Sequence, residues 1–320
     1  MNASIKKNLN TFHVRARAPL RIGLAGGGTD IDSYFLEYGG EVLNATIRKY
    51  AFAELKSTKE PFLAESLEHN LSFGIEDKLS NIPKELKLHF GVYQTIIKDF
   101  NNGKDINCKL STYCDVPIGS GLGSSSTLVV AIIKAFSEAL NLGLDDYELA
   151  KLAYHVERNI CKFSGGMQDQ FSASFGGFNF MEFQKNNVIV NQLRIKNWFR
   201  CELESSFLLH FTGISRESLN VIKDQKISIS NSNKEVINQL HLLKKESRYI
   251  KEAILKCDRK KIVESINRGW EIKARTSEKI NNKFIEERIL HGYKNGAQAA
   301  KVSGAGGGGF ILFMCEPSES

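Results

Sequence analysis

The stretch Pro117-Ile118-Gly119-Ser120-Gly121-Leu122-Gly123-Ser124-Ser125-Ser126 concentrates glycines and hydroxyls in one short segment. Glycines let a backbone curl until its N–H groups converge, and converging N–H groups bind anions. Directly after it, Leu128, Val129, Ile132, Ala135, Phe136, Ala139 and Leu140 recur at three- and four-residue spacing and stop at Asn141 and Gly143. That spacing predicts a buried helix. Its orphan N–H groups and positive dipole end would add to a phosphate cradle. The serine hydroxyls could cap the helix or reach a metal ion; a glycine turn with a serine N-cap and nothing more is the plain alternative. The chain holds no G-x-x-x-x-G-K-[ST] and no V-A-I-K, H-R-D or D-F-G, so neither a P-loop nor a protein kinase is expected.

Moving a phosphoryl group takes charge neutralisation, positioning and often a base for the attacking hydroxyl, which predicts a Mg²⁺ ligand and a second carboxylate nearby. Glu157 and Asp169 are the candidates. Glu157 sits late on a predicted helix over about 145–161, with Leu149, Leu152, Ala153, Val156 and Ile160 on one face. Taken alone, it reads as well as a partner of Arg158 or a lysine on a solvated face. Asp169 is delivered by the turn Ser164-Gly165-Gly166-Met167-Gln168-Asp169-Gln170.

Two further glycine clusters flank these groups. Gly304-Ala305-Gly306-Gly307-Gly308-Gly309 satisfies G-x-G-x-x-G formally, but a strand pattern, Phe310-Ile311-Leu312-Phe313-Met314, follows it instead of a helix. A dinucleotide fingerprint is therefore excluded. A loop whose backbone closely approaches another loop or a phosphate is expected, with a plain hairpin turn as the alternative. Near the start, Arg21 and Asp30 bracket Gly26-Gly27-Gly28-Thr29. Asp30 could be a helix N-cap. Three glycines exceed what a cap needs and leave room for a ligand, whose hydroxyls Asp30 could accept.

The elements that must position these residues are legible in outline. Residues 12–24 and 41–55 read as strands, 106–114 as another, 216–290 as charged helical stretches and 310–314 as a closing strand. Strands and helices interleave without a βαβ rhythm, which argues for α+β. At 320 residues, 42% hydrophobic and 25% charged, the chain is an ordinary globular protein for which two intimate domains are expected. Forty-three Lys and Arg against 36 Asp and Glu leave a net charge of +7, which favours anionic partners such as nucleotides and sugar phosphates. The basic clusters, Lys244-Lys245 and Arg259-Lys260-Lys261, are short and suit solvated helix faces, so nucleic acid is not expected as a partner. No apolar run suits a signal or a membrane span, and a cytoplasmic location is expected. The six cysteines are scattered without C-x-x-C, as for reduced thiols.

Together these motifs resemble the GHMP kinases. PIGSGLGSSS at 117–126 is similar to that family's central P-x-x-x-G-L-G-S-S-A loop, with Ser126-Thr127 in place of the usual alanine. KVSGAGGGGF at 301–310 resembles the C-terminal glycine motif and APLRIGLAGGGTD at 18–30 the N-terminal one. Within the family, Gly-Gly-Gly-Thr-Asp, Gly-Gly-Met-Gln-Asp-Gln at 165–170 and Thr212-Gly213-Ile214-Ser215-Arg216 look like the D-glycero-D-manno-heptose 7-phosphate kinases. Fucokinase- and galactokinase-like sugar-1-kinases are the near alternative. A non-catalytic sugar or nucleotide sensor of the same fold is the distant one, disfavoured by retention of both carboxylates.

The resemblance implies a ribosomal-protein-S5-like N-terminal half and a ferredoxin-like C-terminal half, divided at 183/184, with the active site between them. It implies ATP and Mg²⁺, phosphorylation of the anomeric hydroxyl, and a 1,7-bisphosphate destined for nucleotide-activated heptose in surface polysaccharide. It places catalysis at Asp169 and Arg21. ATP falls at Pro117, Gly119, Ser120, Gly121, Leu122, Gly123, Ser124 and Ser125, and the metal at Ser125 and Glu157, with Ser124 and Ser126 leaving the serine register open. The sugar falls at Gly27, Gly28, Thr29, Asp30, Gly166 and Asp169. The C-terminal glycine loop contributes Gly304, Ala305, Gly306 and Gly307. Arg216 is the candidate for the sugar's distal phosphate, with an exposed first-turn arginine as its alternative.

Overall fold

The computed structural model describes residues 11–75, 81–117, 119–214, 227, 229, 233–277 and 280–318 of the 320. Two long strands, β1 (His13–Ala25) and β2 (Gly40–Ser57), flank a short helix, α1 (Asp32–Tyr38). β1 alternates in exposure at first and is then buried almost continuously from Ala18, as a strand does on passing from a half-solvated face into the interior. Its register with β2 shifts between Pro19 and Arg21 and again between Gly23 and Ala25. Pro19 has no N–H for the ladder, so a bulge suits it, and a bulge re-aims the side chain that follows, here Arg21.

The larger sheet adds β3 (Leu63–Ser66), β4 (Leu71–Gly74), β5 (Cys108–Cys114), β6 (Phe178–Gln184) and β7 (Asn187–Gln192), in the order β4-β3-β5-β2-β6-β7 with β1 paired to β2. β2 is long enough to hold two partners, β6 along Gly40–Ala45 and β5 along Ala51–Ser57. Over this sheet lie α2 (Lys87–Phe100), α3 (Ser124–Leu140), α4 (Asp146–Tyr154) and α5 (Gln168–Phe175). α3 buries every residue from Ser126 to Ile133, broader than the single face its spacing suggests, and packs across β1 and β2 as a core helix.

The rest of the chain forms α6 (Asn197–Ser206), α7 (Lys234–Leu255), α8 (Arg259–Ala274) and α9 (Lys283–Lys294), with β8 (Phe207–Phe211), β9 (Ala299–Val302) and β10 (Phe310–Met314) in a second antiparallel sheet ordered β8-β10-β9. The main core takes Leu20 and Leu43 from the large sheet and Ile132 from α3. It also takes Leu203 from α6, Ile254 from α7, Ile262 from α8, and Leu312 and Met314 from β10. The α+β architecture is as expected. The boundary expected at 183/184 falls inside the β6–β7 hairpin, where Phe183 pairs with Val188, so the larger sheet continues to Gln192.

In the charged helices Lys245, Lys260 and Lys261 are exposed, as read from the sequence. Lys244 and Arg259 are half-buried and employed: Lys244 donates to the Tyr38 and Gly39 carbonyls, Arg259 to Gln298, Glu316 and the Cys315 carbonyl. No disulfide joins any of the six cysteines. Among the described residues no helix is long and apolar enough to cross a membrane.

Candidate active site

The loop before α3 turns on Gly119, Gly121 and Gly123, with φ of 81°, 80° and 79°. Gly123 is itself the N-cap of α3, and no side chain caps the helix, so the serine-cap alternative does not hold. The hydroxyls are spent elsewhere: Ser125 and Ser126 donate to the Glu157 carboxylate at 2.8 and 2.6 Å.

The C-terminal glycine loop joins β9 to β10 as a hairpin would, and it also lies directly on the backbone of the glycine loop before α3. The Phe310 N–H donates to the Ser120 carbonyl at 3.0 Å and the Ser303 hydroxyl to the Gly121 carbonyl at 3.2 Å. A Cβ on Gly304 would stand 2.6 Å from the Gly121 carbonyl oxygen, and one on Gly121 would stand 2.6 Å from that of Ser303. Gly304→Ala should therefore cost well over the 1–2 kcal/mol or so of a left-handed alanine, because backbone on each side cannot yield. Gly103, at φ 73° with nothing within 4 Å of its missing Cβ, is the control. Urea melts should show Gly304→Ala losing clearly more stability than Gly103→Ala, with ATP affinity lowered only in the former.

After α4 the chain widens into the turn His155–Ile160, in which the Cys161 N–H reaches back five residues to the Val156 carbonyl at 2.8 Å. Such π-type turns change which side chains a helix presents; here Glu157 is fully buried and its neighbour Arg158 nearly so. Glu157 Oε1 accepts from Ser125 and from Arg158 Nη1 at 2.9 Å, and Oε2 accepts from Ser126 and from Gln170 Nε2 at 2.6 Å. The pairing with Arg158 is present, but the solvated face is not. A hydroxyl and a carboxylate side by side are hard oxygen donors and fit Mg²⁺, which takes few protein ligands and keeps waters and phosphates. Among the described residues no larger group of His, Cys, Asp and Glu could hold a metal.

Arg21, buried, donates Nε and Nη2 to Asp169 Oδ1 at 2.7 and 2.6 Å and Nη1 to the Gly121 carbonyl at 2.7 Å. The Asp169 carboxyl carbon is 3.2 Å from where a Cβ on Gly123 would sit, so glycine admits the carboxylate to the loop. Asp30 is not the N-cap of α1; Ile31 is. Asp30 accepts from Gly28 N, Gln168 N and Gln168 Nε2, each at 3.1 Å, and Gly166 passes where any Cβ would collide with it. Thr29 turns its buried hydroxyl to backbone, donating toward the Gly26 and Glu41 carbonyls and accepting from the Glu41 N–H.

These groups meet at one cavity that opens to solvent. Arg21, Gly28, Asp30, Gly166 and Asp169 face it from one side, Gly119, Gly121, Gly123, Ser124 and Ser125 from the loop, and Gly304 and Ala305 from the C-terminal motif. Gly27, Thr29, Pro117, Ser120, Leu122, Glu157, Gly306 and Gly307 are not part of the lining, and the buried Ser120 hydroxyl has no hydrogen-bond partner among the described residues. Arg216 lies outside the described residues.

Sequence reasoning missed Arg158, Gln168 and Lys273, which also line the cavity. Arg158 and Gln168 sit beside residues already singled out, and adjacency was their signal. Lys273 comes from α8 and had none. Its Nζ donates to the Gly304 carbonyl at 2.6 Å. Burial pushes its pKa down to about 8, with Asp30 and Asp169 opposing and Arg21 reinforcing that shift. Lys301, on β9, donates to the Leu24 carbonyl, and burial, together with Lys273 and Arg21, pushes its pKa well below the ordinary lysine value.

Residues 87–177 match the family model for the GHMP kinases N terminal domain. The chain is 44% identical over 310 residues to the D-glycero-alpha-D-manno-heptose 7-phosphate kinase of Campylobacter jejuni, covering 96% of this chain and 90% of that protein. A solved structure of a D-glycero-D-manno-heptose 1-phosphate kinase from Bacteroides thetaiotaomicron superposes with a TM-score of 0.78 at 40% identity, over 96% of this chain and 89% of that one. Lactococcus lactis galactokinase complexed with galactose, 16% identical, shares the fold with a TM-score of 0.75 over 96% of this chain and 86% of that one. Likeness at this identity, over nearly the full length of a kinase, comes of common descent, and the chain belongs to the GHMP kinases.

Proposed function

We propose that the protein is a cytoplasmic kinase that transfers the γ-phosphate of ATP to the anomeric hydroxyl of D-glycero-D-manno-heptose 7-phosphate, supplying a 1,7-bisphosphate for nucleotide-activated heptose of surface polysaccharide. One observation carries the reading: the Arg21–Asp169 pair stands between the glycine loop and Asp30 in a single cavity, in a chain 44% identical to a heptose 7-phosphate kinase. The part of the chain that builds the larger sheet would supply the loop and both carboxylates, and the part that follows it another wall with Gly304 and Lys273.

In this mechanism the triphosphate lies over residues 119–125, with Pro117, Ser120 and Leu122 shaping the loop from behind. Glu157 and Ser125 would hold Mg²⁺, which when bound neutralises charge on the phosphates. Asp30, Gly28 and Gly166 take the sugar, while Gly27 and Thr29 set the turn that presents them. Asp169, fixed by Arg21, orients the acceptor hydroxyl and receives its proton. A loose transition state asks more of fixed charge than of a strong base, which puts Arg21 beside the transferring group.

ADP release measured against heptose 7-phosphate, heptose 1-phosphate, unphosphorylated heptose, fucose and galactose tests the reading, with ³¹P NMR locating the new phosphate. The 7-phosphate should exceed the unphosphorylated sugars in kcat/KM by at least about a hundredfold, since a site built around a charged group rejects an analogue lacking it. Equal activity on unphosphorylated heptose rejects the substrate, and a product phosphorylated away from the anomeric carbon rejects the position.

A further inference from the structure

We propose that Lys273 is an acceptor-binding residue, its ammonium donating to an oxygen of the bound sugar beside Asp30. The proposal rests on the sugar-kinase reading of the cavity and adds a contact that this reading lacks.

Arg21, Arg158 and Lys273 are the cations lining the cavity among the described residues. Arg21 is committed to Asp169 and the Gly121 carbonyl. Arg158 gives Nη1 to Glu157 and Nη2 to the Gly166 carbonyl at 3.2 Å. Both are therefore fixed toward the reacting carboxylate and the Glu157 cluster. Lys273 has one hydrogen-bond partner among the described residues, the Gly304 carbonyl, and an ammonium carries three donors. A buried ammonium with a single neutral acceptor is poorly solvated, and a ligand oxygen would relieve it.

Position decides which ligand. The Lys273 Nζ lies 3.4 Å from where a Cβ on Gly27 would stand, with Gln168 Nε2 3.7 Å from the same point. That is the turn whose Gly28, together with Gln168 at the start of α5, holds Asp30. The charged groups facing Lys273 are Asp30 from the turn after β1, Arg21 from β1, Asp169 from α5 and Lys301 from β9. A carboxylate that accepts and an ammonium that donates suit a sugar hydroxyl, which does both; a phosphate oxygen would satisfy the ammonium alone.

The test uses Lys273→Met and Lys273→Arg in the full chain, with steady-state kinetics and calorimetric titration of heptose 7-phosphate and of unphosphorylated heptose. Lys273→Met should raise the KM and Kd for the sugar about tenfold to a hundredfold, the loss expected for a charge-assisted hydrogen bond, while the KM for ATP stays within about twofold. Lys273→Arg should recover most of that loss. A loss shared by both heptoses identifies the hydroxyl partner and supports the contact, whereas a loss confined to the 7-phosphate identifies a phosphate oxygen and overturns the placement beside Asp30. The ammonium must be charged to donate fully, so wild-type kcat/KM for the sugar should fall as pH rises through about 8, and Lys273→Arg should move that limb upward.

Unchanged sugar kinetics, or a loss confined to ATP, overturns the assignment. Should Lys273→Met prove unstable, Lys273→Gln, which keeps an N–H donor without the charge, carries the same measurement. A wild-type protein inactive on every heptose overturns the substrate proposal instead, and Lys273 is then measured on whichever sugar the wild type phosphorylates.

Discussion

Asp169→Asn should lower kcat by about a hundredfold to ten-thousandfold, the range lost with a positioned proton acceptor, while calorimetric affinity for an ATP analogue stays close to wild type. The asparagine still offers Arg21 an oxygen where Nε and Nη2 now meet Oδ1, so the wall of the cavity should stand. What disappears is the negative charge that, in the proposed mechanism, orients the acceptor hydroxyl and takes its proton. Asp169→Ala should lose at least as much turnover and also stability, since it leaves the buried Arg21 guanidinium without its carboxylate. Turnover equal to wild type in the asparagine variant would remove Asp169 from the chemistry.

Glu157→Gln is expected to damage two properties together. Its carboxylate receives Ser125, Ser126, Arg158 and Gln170, and neutralising it leaves the nearly buried Arg158 uncompensated. About 3 kcal/mol of stability should go with the broken pair. The Mg²⁺ concentration giving half-maximal rate should rise by an order of magnitude or more, since a neutral amide is a poorer ligand than a carboxylate for a hard cation. Removing the orphaned charge in Glu157→Gln/Arg158→Met should restore much of the melting temperature without restoring the Mg²⁺ response. A single variant with unchanged melting and an unchanged Mg²⁺ titration would contradict both the burial and the metal assignment.

The parts of the site that could be read from the sequence are those a short segment fixes by itself. Gly119, Gly121 and Gly123 announce positive φ because few other residues sustain it, and the apolar run after them announces α3. Asp30 and Asp169 stand beside glycines that only a close approach would require. Glu157 was ambiguous for a physical reason: helical periodicity puts it at the edge of an apolar face, and the π-type turn that carries it inward has no periodicity of its own. Lys273 was invisible because it lies in a helix whose other lysines, Lys260 and Lys261, meet solvent. Only the packing of α8 against the glycine loop makes it different. The strands β6 and β7 and the helix α2 were likewise missed, their patterns being too short or too evenly apolar to separate from their surroundings.

The backbone seal between the glycine loop before α3 and the C-terminal glycine motif also bears on how the protein is made. Gly121 and Ser303 touch across 182 positions of sequence. On a ribosome adding about 5–20 residues per second, the loop emerges roughly 10–40 s before its partner. Through that interval the nascent chain lacks the Phe310–Ser120 bond and the Leu312 and Met314 side chains that β10 brings to the core. The span in which the growing polypeptide is most open to chaperones and to aggregation thus ends with the same residues that complete the wall of its cavity.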